Sequence, residues 1–126
     1  MLAAILFVFA FAVTAEAHTI TVKGTIVCDN NYAMPAFLEL MEKEFFKDER
    51  LQWEPARGME EFVIRGSDNE LFGITPYLRI LHTCNGVNEE TILEFGPRRG
   101  DVEIDLGEVR LAGENVQGEL RNKYTI

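Results

Sequence analysis

The chain has 126 residues, of which 47% are hydrophobic and 26% charged, and its formal net charge is −9 at pH 7. That composition is ordinary for a globular protein, and the length accommodates one compact domain but not two. The acidic balance repels phosphate backbones and anionic lipid surfaces, so it argues against nucleic acid as a partner and against unaided adsorption to membranes.

The first predicted element is a signal peptide over residues 1–17. An uninterrupted apolar run is followed by Ala15 and Ala17, which flank Glu16 in the A-x-A manner of a signal-peptidase site. A membrane span would need about 20 apolar residues, so this run is too short to be one. We therefore predict cleavage after Ala17, with Ala15 as the alternative. The product would be a secreted, extracellular domain over residues 18–126 with no transmembrane segment.

Five stretches of the remaining chain alternate apolar and polar residues with the period of two that is typical of half-buried β-strands. They occupy residues 18–28, 60–70, 77–84, 91–96 and 101–113. Turn-forming residues separate the strands roughly every 8 to 12 residues, which is the spacing expected of an antiparallel sandwich.

Residues 35–50 depart from this alternation. Five residues recur there at helical spacing among good helix formers, namely Phe37, Leu40, Met41, Glu44 and Phe45. Periodicity alone therefore predicts a helix in this segment.

Cys28 and Cys84 are the two cysteines of the chain. In an exported protein an even number of cysteines favours pairing, so we predict one disulfide between them. A free reactive thiol and an intermolecular bridge are the alternatives. A bridge that closes about 57 residues would remove roughly 4 kcal/mol of unfolded-state chain entropy.

Four motifs make the sequence resemble the nematode transthyretin-like family of small secreted proteins. They are VKGTIVC at residues 22–28, the Phe-x-Ile-x-Gly-Ser run at 62–67, ITPYLRILHTCN at 74–85 and DLGEVRLAGE at 105–114. The resemblance implies an all-β fold, a seven-stranded transthyretin-like, immunoglobulin-like β-sandwich in which Cys28 meets Cys84. It also implies a strand over residues 37–42 and a loop over 43–50. We adopt this strand over the helix, because tertiary context routinely overrides helix propensity.

The resemblance and the architecture together predict an extracellular binding or bridging module with no catalytic role and no cofactor. Its ligand is unidentified, and an extracellular protein or a small hydrophobic ligand is the expected partner. Rigid sandwiches tend to present function on loops. We expect the contacts at loops 29–35, 67–75 and 85–90, on one end of the sandwich. The polar candidates there are Asp29, Asn30, Asn31, Ser67, Asp68, Asn69, Asn85 and Asn88.

Two histidines and one acidic strand face are candidates for other chemistry. We interpret His82 as a core residue packed beside the disulfide, since strand alternation points it to the same face as Cys84. Cleavage after Ala17 would make His18 the amino terminus, an arrangement that oxidative copper enzymes use, but we interpret His18 as an accident of cleavage.

Converging carboxylates on a strand face can bind Ca²⁺, although such a face is more often simply solvated. The weak calcium candidates are Asp101, Glu103 and Asp105, with Glu89 and Glu90 on the expected neighbouring strand.

Two other functional classes compete with a binding module. The enzymatic relative of transthyretin, 5-hydroxyisourate hydrolase, uses histidines, an arginine and a carboxy-terminal Tyr-Arg-Gly-Ser motif. This chain ends instead in Lys-Tyr-Thr-Ile at residues 123–126, and Arg57 and Arg79 lack a matching set of histidines. A structural component of the extracellular matrix would more often show repeats or crosslinking residues. The sequence does not predict the oligomeric state.

Overall fold

Seven β-strands and no helix are present in the computed structural model of the protein, which describes residues 17–111. In chain order the strands are β1 (Ala17–Val27), β2 (Pro35–Glu42), β3 (Glu49–Arg57), β4 (Glu61–Asn69), β5 (Pro76–His82), β6 (Glu89–Glu94) and β7 (Asp101–Arg110). They form a three-stranded sheet of order β4-β1-β7 and a four-stranded sheet of order β3-β2-β5-β6. The all-β, seven-stranded sandwich that the family resemblance implied is therefore confirmed.

The hydrophobic core lies between the two sheets. Strand neighbours pair antiparallel, except β1 and β7, which run parallel. Because side chains alternate across a strand, one face of each sheet supplies the core. Each large apolar side chain that leaves water contributes roughly 1.5–3 kcal/mol. The fully buried members include Ile20, Val22, Ile26, Leu38, Leu40, Ile64, Leu78 and Ile80.

The helix that periodicity predicts over residues 35–50 is wrong, and the strand that the resemblance implies there is confirmed. β2 lies between β3 and β5, so it forms hydrogen-bonded ladders along both of its edges. Leu38 and Leu40 face the core, whereas Phe37 faces outward. The following loop covers residues 43–48 and is shorter than expected, because β3 begins at Glu49.

The strand connections leave the sandwich at two opposite ends. The registers place Pro76 and Glu49 beside Glu42 at one end, and Glu89 beside His82 at the other. We call the first the acidic end; it carries loops 43–48, 70–75 and 95–100. We call the second the cystine end; it carries turns 28–34, 58–60 and 83–88.

A disulfide joins the two sheets at the cystine end. Cys28 directly follows β1 and Cys84 follows β5, and their Cα atoms lie 5.7 Å apart. Both residues are buried in the core cluster. The predicted intramolecular pairing is therefore confirmed, and the free thiol and the intermolecular bridge are wrong.

The sheets approach each other closely where β3 passes β4. A Cβ atom at Gly66 would lie only 2.7 Å from Cβ of Leu51, well inside van der Waals contact. The absence of a side chain at Gly66 therefore lets these two strands, which belong to different sheets, pack together.

The predicted signal peptide lies outside the described residues, except for Ala17, which is the first residue of β1. Residues 112–126 also lie outside them, and with them the carboxy-terminal motif. In the part of the chain between residues 17 and 111, no helix is long and apolar enough to cross a membrane.

Candidate functional site

The loop residues predicted for binding are divided between the two ends of the sandwich. Asp29, Asn30, Asn31, Asn85 and Asn88 lie at the cystine end, whereas Ser67, Asp68 and Asn69 form the last residues of β4 at the acidic end. The expectation that they share one end is wrong. Successive strands reverse direction, so the turns after β1 and β5 lie opposite the loop after β4.

At the cystine end, two of these residues already bind other parts of the chain. The carboxylate of Asp29 accepts two hydrogen bonds of 3.2 Å from the Arg110 guanidinium. The side-chain amide of Asn85 donates to Glu89 at 3.0 Å and to the carbonyl of Leu111 at 3.4 Å. These contacts attach the turns to neighbouring strands, so these polar groups are partly engaged within the fold.

The acidic face of β7 does not meet β6. Asp101, Glu103 and Asp105 are exposed on β7, which pairs with β1 in the three-stranded sheet. Glu89 and Glu90 belong to β6 in the other sheet, so the expected neighbouring strand is wrong. Glu103 instead forms an ion pair of 2.9 Å with Lys23.

Both histidines are buried, and both ring nitrogens of each are engaged. Nδ1 of His82 accepts a hydrogen bond from the Cys84 amide, and Nε2 lies 3.1 Å from Oγ1 of Thr91. Burial lowers the pKa of His82, which favours the neutral ring. Nδ1 of His18 accepts from the Gly100 amide and its Nε2 donates to the carbonyl of Glu70, each at 2.7 Å.

These contacts give both rings structural roles. His82 packs beside the disulfide at the cystine end, and His18 links β1 to two loops of the acidic end. The histidines therefore lie at opposite ends of the sandwich. Arg79, a candidate for hydrolase chemistry, pairs with Glu90 at 2.7 Å. Among residues 17–111, no two histidines converge with an arginine.

Four carboxylates do converge at the acidic end. Glu42 ends β2, Glu44 lies in the next loop, Glu49 begins β3 and Asp68 lies near the end of β4. One oxygen from each lies within 4.8 Å of the others. We call these four residues the acidic cluster, and Asp68 is its one member that the sequence pointed to.

Glu42 is the buried centre of the acidic cluster, with 2% of its surface exposed. Within the described chain, neither its Oε2 nor Oδ2 of Asp68 has a hydrogen-bond partner when both groups are ionised. Burial, followed by the neighbouring Asp68, raises the pKa of Glu42 to about 9. The hydrogen bond from protonated Glu42 lowers the pKa of Asp68. The pair therefore holds one proton between two carboxyl groups near neutral pH.

Large apolar side chains project from two loops beside the acidic cluster. Phe45 and Phe46, in the loop after β2, are 92% and 95% exposed, and Leu71 and Phe72, in the loop after β4, are 58% and 82% exposed. We call these four residues the apolar tips. The two loops lie close together, since the Lys43 amide donates to the Thr75 carbonyl and the carboxylate oxygens of Glu44 and Asp68 lie within 4.8 Å of each other.

The base of the first loop is anchored to the second loop and to β5. The amide of Lys43 donates to the carbonyl of Thr75 at 2.9 Å, and the hydroxyl of Tyr77 donates to Asp48 at 2.7 Å. The Glu44 amide also donates to the other carboxylate oxygen of Asp48 at 3.1 Å. A fixed base and exposed tips are the properties of a contact loop on a rigid scaffold.

The apolar tips and three members of the acidic cluster are not among the candidate residues that the sequence suggests. The helical spacing assigns Phe45 to the apolar face of a helix. In that interpretation the glutamates of residues 35–50 serve only as good helix formers. A usable signal was present, since Phe45-Phe46 stands between charged residues immediately after a strand. Core residues rarely occur as such a pair in a short charged loop.

A depression lies on the outer face of the four-stranded sheet, near the cystine end. Its volume is about 750 Å³, and its lining includes Pro35, Phe37, Leu81, Thr83, Asn88 and Glu90. Ligand pockets of this volume normally enclose most of their ligand. This depression is open to solvent, so it would not enclose a small apolar molecule.

Comparisons with known proteins show which sequences and structures resemble this chain. The family model described as transthyretin-like family (TTR-52) matches residues 23–104. Transthyretin-like protein 16 of Caenorhabditis elegans is 34% identical over 73 residues, which cover 57% of this chain and 55% of that protein. The match thus spans about half the length of this curated relative. A crystal structure of a 9R-lipoxygenase from Cyanothece aligns with a TM-score of 0.40 and 11% identity, covering 86% of this chain and 20% of that one.

Proposed function

The chain belongs to the transthyretin-like family, and from this premise we propose that it is a secreted, non-catalytic binding module that engages an extracellular protein through its apolar tips. Secretion is supported by the pattern of residues 1–17 and by the disulfide, which persists in oxidising compartments. The binding role is supported chiefly by the exposure of the four apolar tips on two adjacent loops.

Exposed phenylalanines at this density are costly unless a partner covers them. Phe45, Phe46 and Phe72 each leave more than four fifths of their surface in water. Burying apolar surface gains about 25 cal/mol per Å², and contiguous exposed apolar surface marks interaction sites on soluble proteins. Aromatic side chains also supply much of the binding energy at protein interfaces.

The shape and charge of the acidic end favour a protein partner over a small hydrophobic ligand. The tips project from the scaffold, so a partner must supply the cavity that receives them. Glu44 and Glu70 directly precede the tips of the two loops, and negative charge there attracts and orients a basic surface. We therefore propose a partner with an apolar cleft bordered by lysine or arginine side chains.

A non-catalytic role is supported by the separation of the histidines. His18 and His82 lie at opposite ends, and each uses both ring nitrogens for contacts within the fold. General acid–base chemistry needs a titratable group within hydrogen-bond reach of the reacting atom. The hydrolase alternative predicts turnover of 5-hydroxyisourate by purified protein above the spontaneous rate, whereas we expect none.

Proximity labelling in native extracellular fluid tests the binding role. Full-length secreted protein is compared with a Phe45→Ser/Phe46→Ser/Phe72→Ser variant and with a Tyr32→Ser/Val87→Ser control. The control removes apolar side chains that are each 60% exposed at the cystine end. We expect the tip variant to reduce labelling of specific partners at least about tenfold, since truncated interface aromatics often cost more than 1.4 kcal/mol.

Labelling by the unaltered protein, the tip variant and the control distinguishes binding through the tips from the structural-matrix alternative. The control should label the same partners as the unaltered protein. Retained labelling by the tip variant, or equal loss in the control, would contradict binding through the tips. Equal labelling of many matrix proteins by all three would favour the structural-matrix alternative.

A further inference from the structure

We propose that the acidic cluster, formed by Glu42, Glu44, Glu49 and Asp68, is a Ca²⁺ site. The sequence placed its calcium candidates on β7, on the opposite sheet from Glu42, and nothing in the local sequence marks the cluster. It is assembled from β2, the following loop, β3 and β4. The site does not depend on the proposed protein partner, because the ion can be measured on the isolated chain.

The central observation is that Oε2 of Glu42 and Oδ2 of Asp68 are buried and have only the proton that the two carboxyl groups share. Only 2% of the surface of Glu42 is exposed, and no other group in the described structure donates a hydrogen bond to its Oε2. Oδ2 of Asp68 is likewise buried and receives no hydrogen bond from any other group in the described structure. One proton for two carboxyl groups leaves one negative charge in the pair, and buried charges are normally paired or bound to a metal, because an uncompensated one costs several kcal/mol.

The basic side chains that flank the cluster bind elsewhere. Nζ of Lys43 pairs with Glu94 at 2.6 Å, and the Arg50 guanidinium pairs with Glu39 at 3.5 Å. Arg50 also lies over the ring of Trp53 on the outer face of the sheet. Neither of these two residues is thus positioned to compensate the charge of the cluster.

The donor atoms indicate calcium. All four are carboxylate oxygens, whereas zinc and copper sites normally include histidine or cysteine. Ca²⁺ binds six to eight oxygens at about 2.4 Å, so ligands on opposite sides of the ion lie about 4.8 Å apart. The cluster oxygens all lie within 4.8 Å of one another, so one ion of this size could contact all four. Mg²⁺ would require shorter contacts and a regular octahedron, and the four oxygens would have to close in to form it.

A bound ion would connect the loops that carry the apolar tips. Glu44 is adjacent to Phe45, and Asp68 lies two residues before Glu70, at the start of the second loop. An ion shared by Glu44 and Asp68 would fix one loop relative to the other. Calcium would therefore determine how the two pairs of apolar tips are presented.

Isothermal titration calorimetry on EDTA-stripped, full-length secreted protein tests the site. We expect one Ca²⁺ per chain with a Kd of about 10⁻⁴ to 10⁻³ M, the range of extracellular calcium modules, and at least tenfold weaker Mg²⁺ binding. Glu44→Gln/Glu49→Gln should weaken Ca²⁺ binding at least about tenfold. Glu44 and Glu49 are exposed, so these changes leave the core intact.

Glu103→Gln/Asp105→Asn is the matched control, since it removes two exposed carboxylates from β7. It should bind Ca²⁺ as tightly as the unaltered protein. The proposal is overturned if the unaltered protein binds no Ca²⁺ at 5 mM (about five times the weakest expected Kd), or if the control weakens binding as much as the cluster variant. Either result would say nothing against partner labelling through the apolar tips. Failure of the calcium proposal is therefore distinguishable from failure of the proposed binding function.

Discussion

Replacing Cys28 and Cys84 with alanine should lower the free energy of unfolding by roughly 4 kcal/mol. The disulfide spans a sequence separation of 56 residues, and the chain-entropy model assigns about this value to a loop of that length. A small domain has only about 5–15 kcal/mol of stability, so the loss would be a large fraction of the total. The slope of unfolding free energy against urea should also rise, because the uncrosslinked unfolded chain exposes more surface.

Urea denaturation followed by the fluorescence of Trp53 measures this loss. Trp53 is the single tryptophan of the chain and stacks on Phe37 on the outer face of the sheet, with ring centroids 5.3 Å apart. Reduced unaltered protein should match the alanine variant, and reductant should leave the variant unchanged. A change below about 1 kcal/mol in both samples would refute the reasoning that the crosslink constrains the unfolded chain.

Three further predictions concern the core and its buried histidine. Gly66→Ala should destabilise the protein by about 1–3 kcal/mol, because its Cβ would lie 2.7 Å from Cβ of Leu51; an unchanged urea midpoint would contradict the close approach. Leu40→Ala should cost about 2–5 kcal/mol by leaving a cavity, and a loss under 1 kcal/mol would show that the site collapses. Burial lowers the pKa of His82 below its ordinary 6.5, so its contribution to stability is present above pH 6.5 and is lost as the pH falls toward the folded pKa. Nuclear magnetic resonance titration of the His82 ring should show its midpoint below 6.5, and a midpoint above 6.5 would contradict a neutral buried ring.

Most strands could be predicted from the sequence because the alternation is local. Ile20 and Val22 face the core while Thr19 and Thr21 are half-buried outside it, as the period of two requires. β2 could not be predicted from periodicity. Its Phe37 and the following Phe45 lie outside the core, so their helical spacing with Leu40 reflects no common buried face.

The end of the sandwich at which each loop lies could have been predicted from the order of the strands. Loops after odd-numbered and even-numbered strands must lie at opposite ends when each strand reverses the direction of the last. Counting strands would have separated loop 67–75 from turns 29–35 and 85–90. It would also have placed residues 43–48 at the same end as residues 70–75.

The acidic cluster could not be predicted from the sequence. Glu42 and Glu49 become neighbours through the register of β2 with β3, and Asp68 reaches them from the other sheet. Local patterns carry no information on which sheet edges approach each other. The burial of Glu42 is likewise set by tertiary packing, since its neighbour Met41 is also buried at a bulge in the β2–β3 register.

Hydroxyl-radical footprinting of the secreted protein tests most directly whether the acidic end is the binding end. The protein is oxidised alone and in native extracellular fluid, and modification is quantified by mass spectrometry. Phe45, Phe46 and Phe72 should be oxidised in the free protein and protected in the fluid, whereas the exposed Tyr32 and Met59 at the cystine end should react equally in both. Protection of Tyr32 and Met59 with all three phenylalanines still reactive would contradict the account.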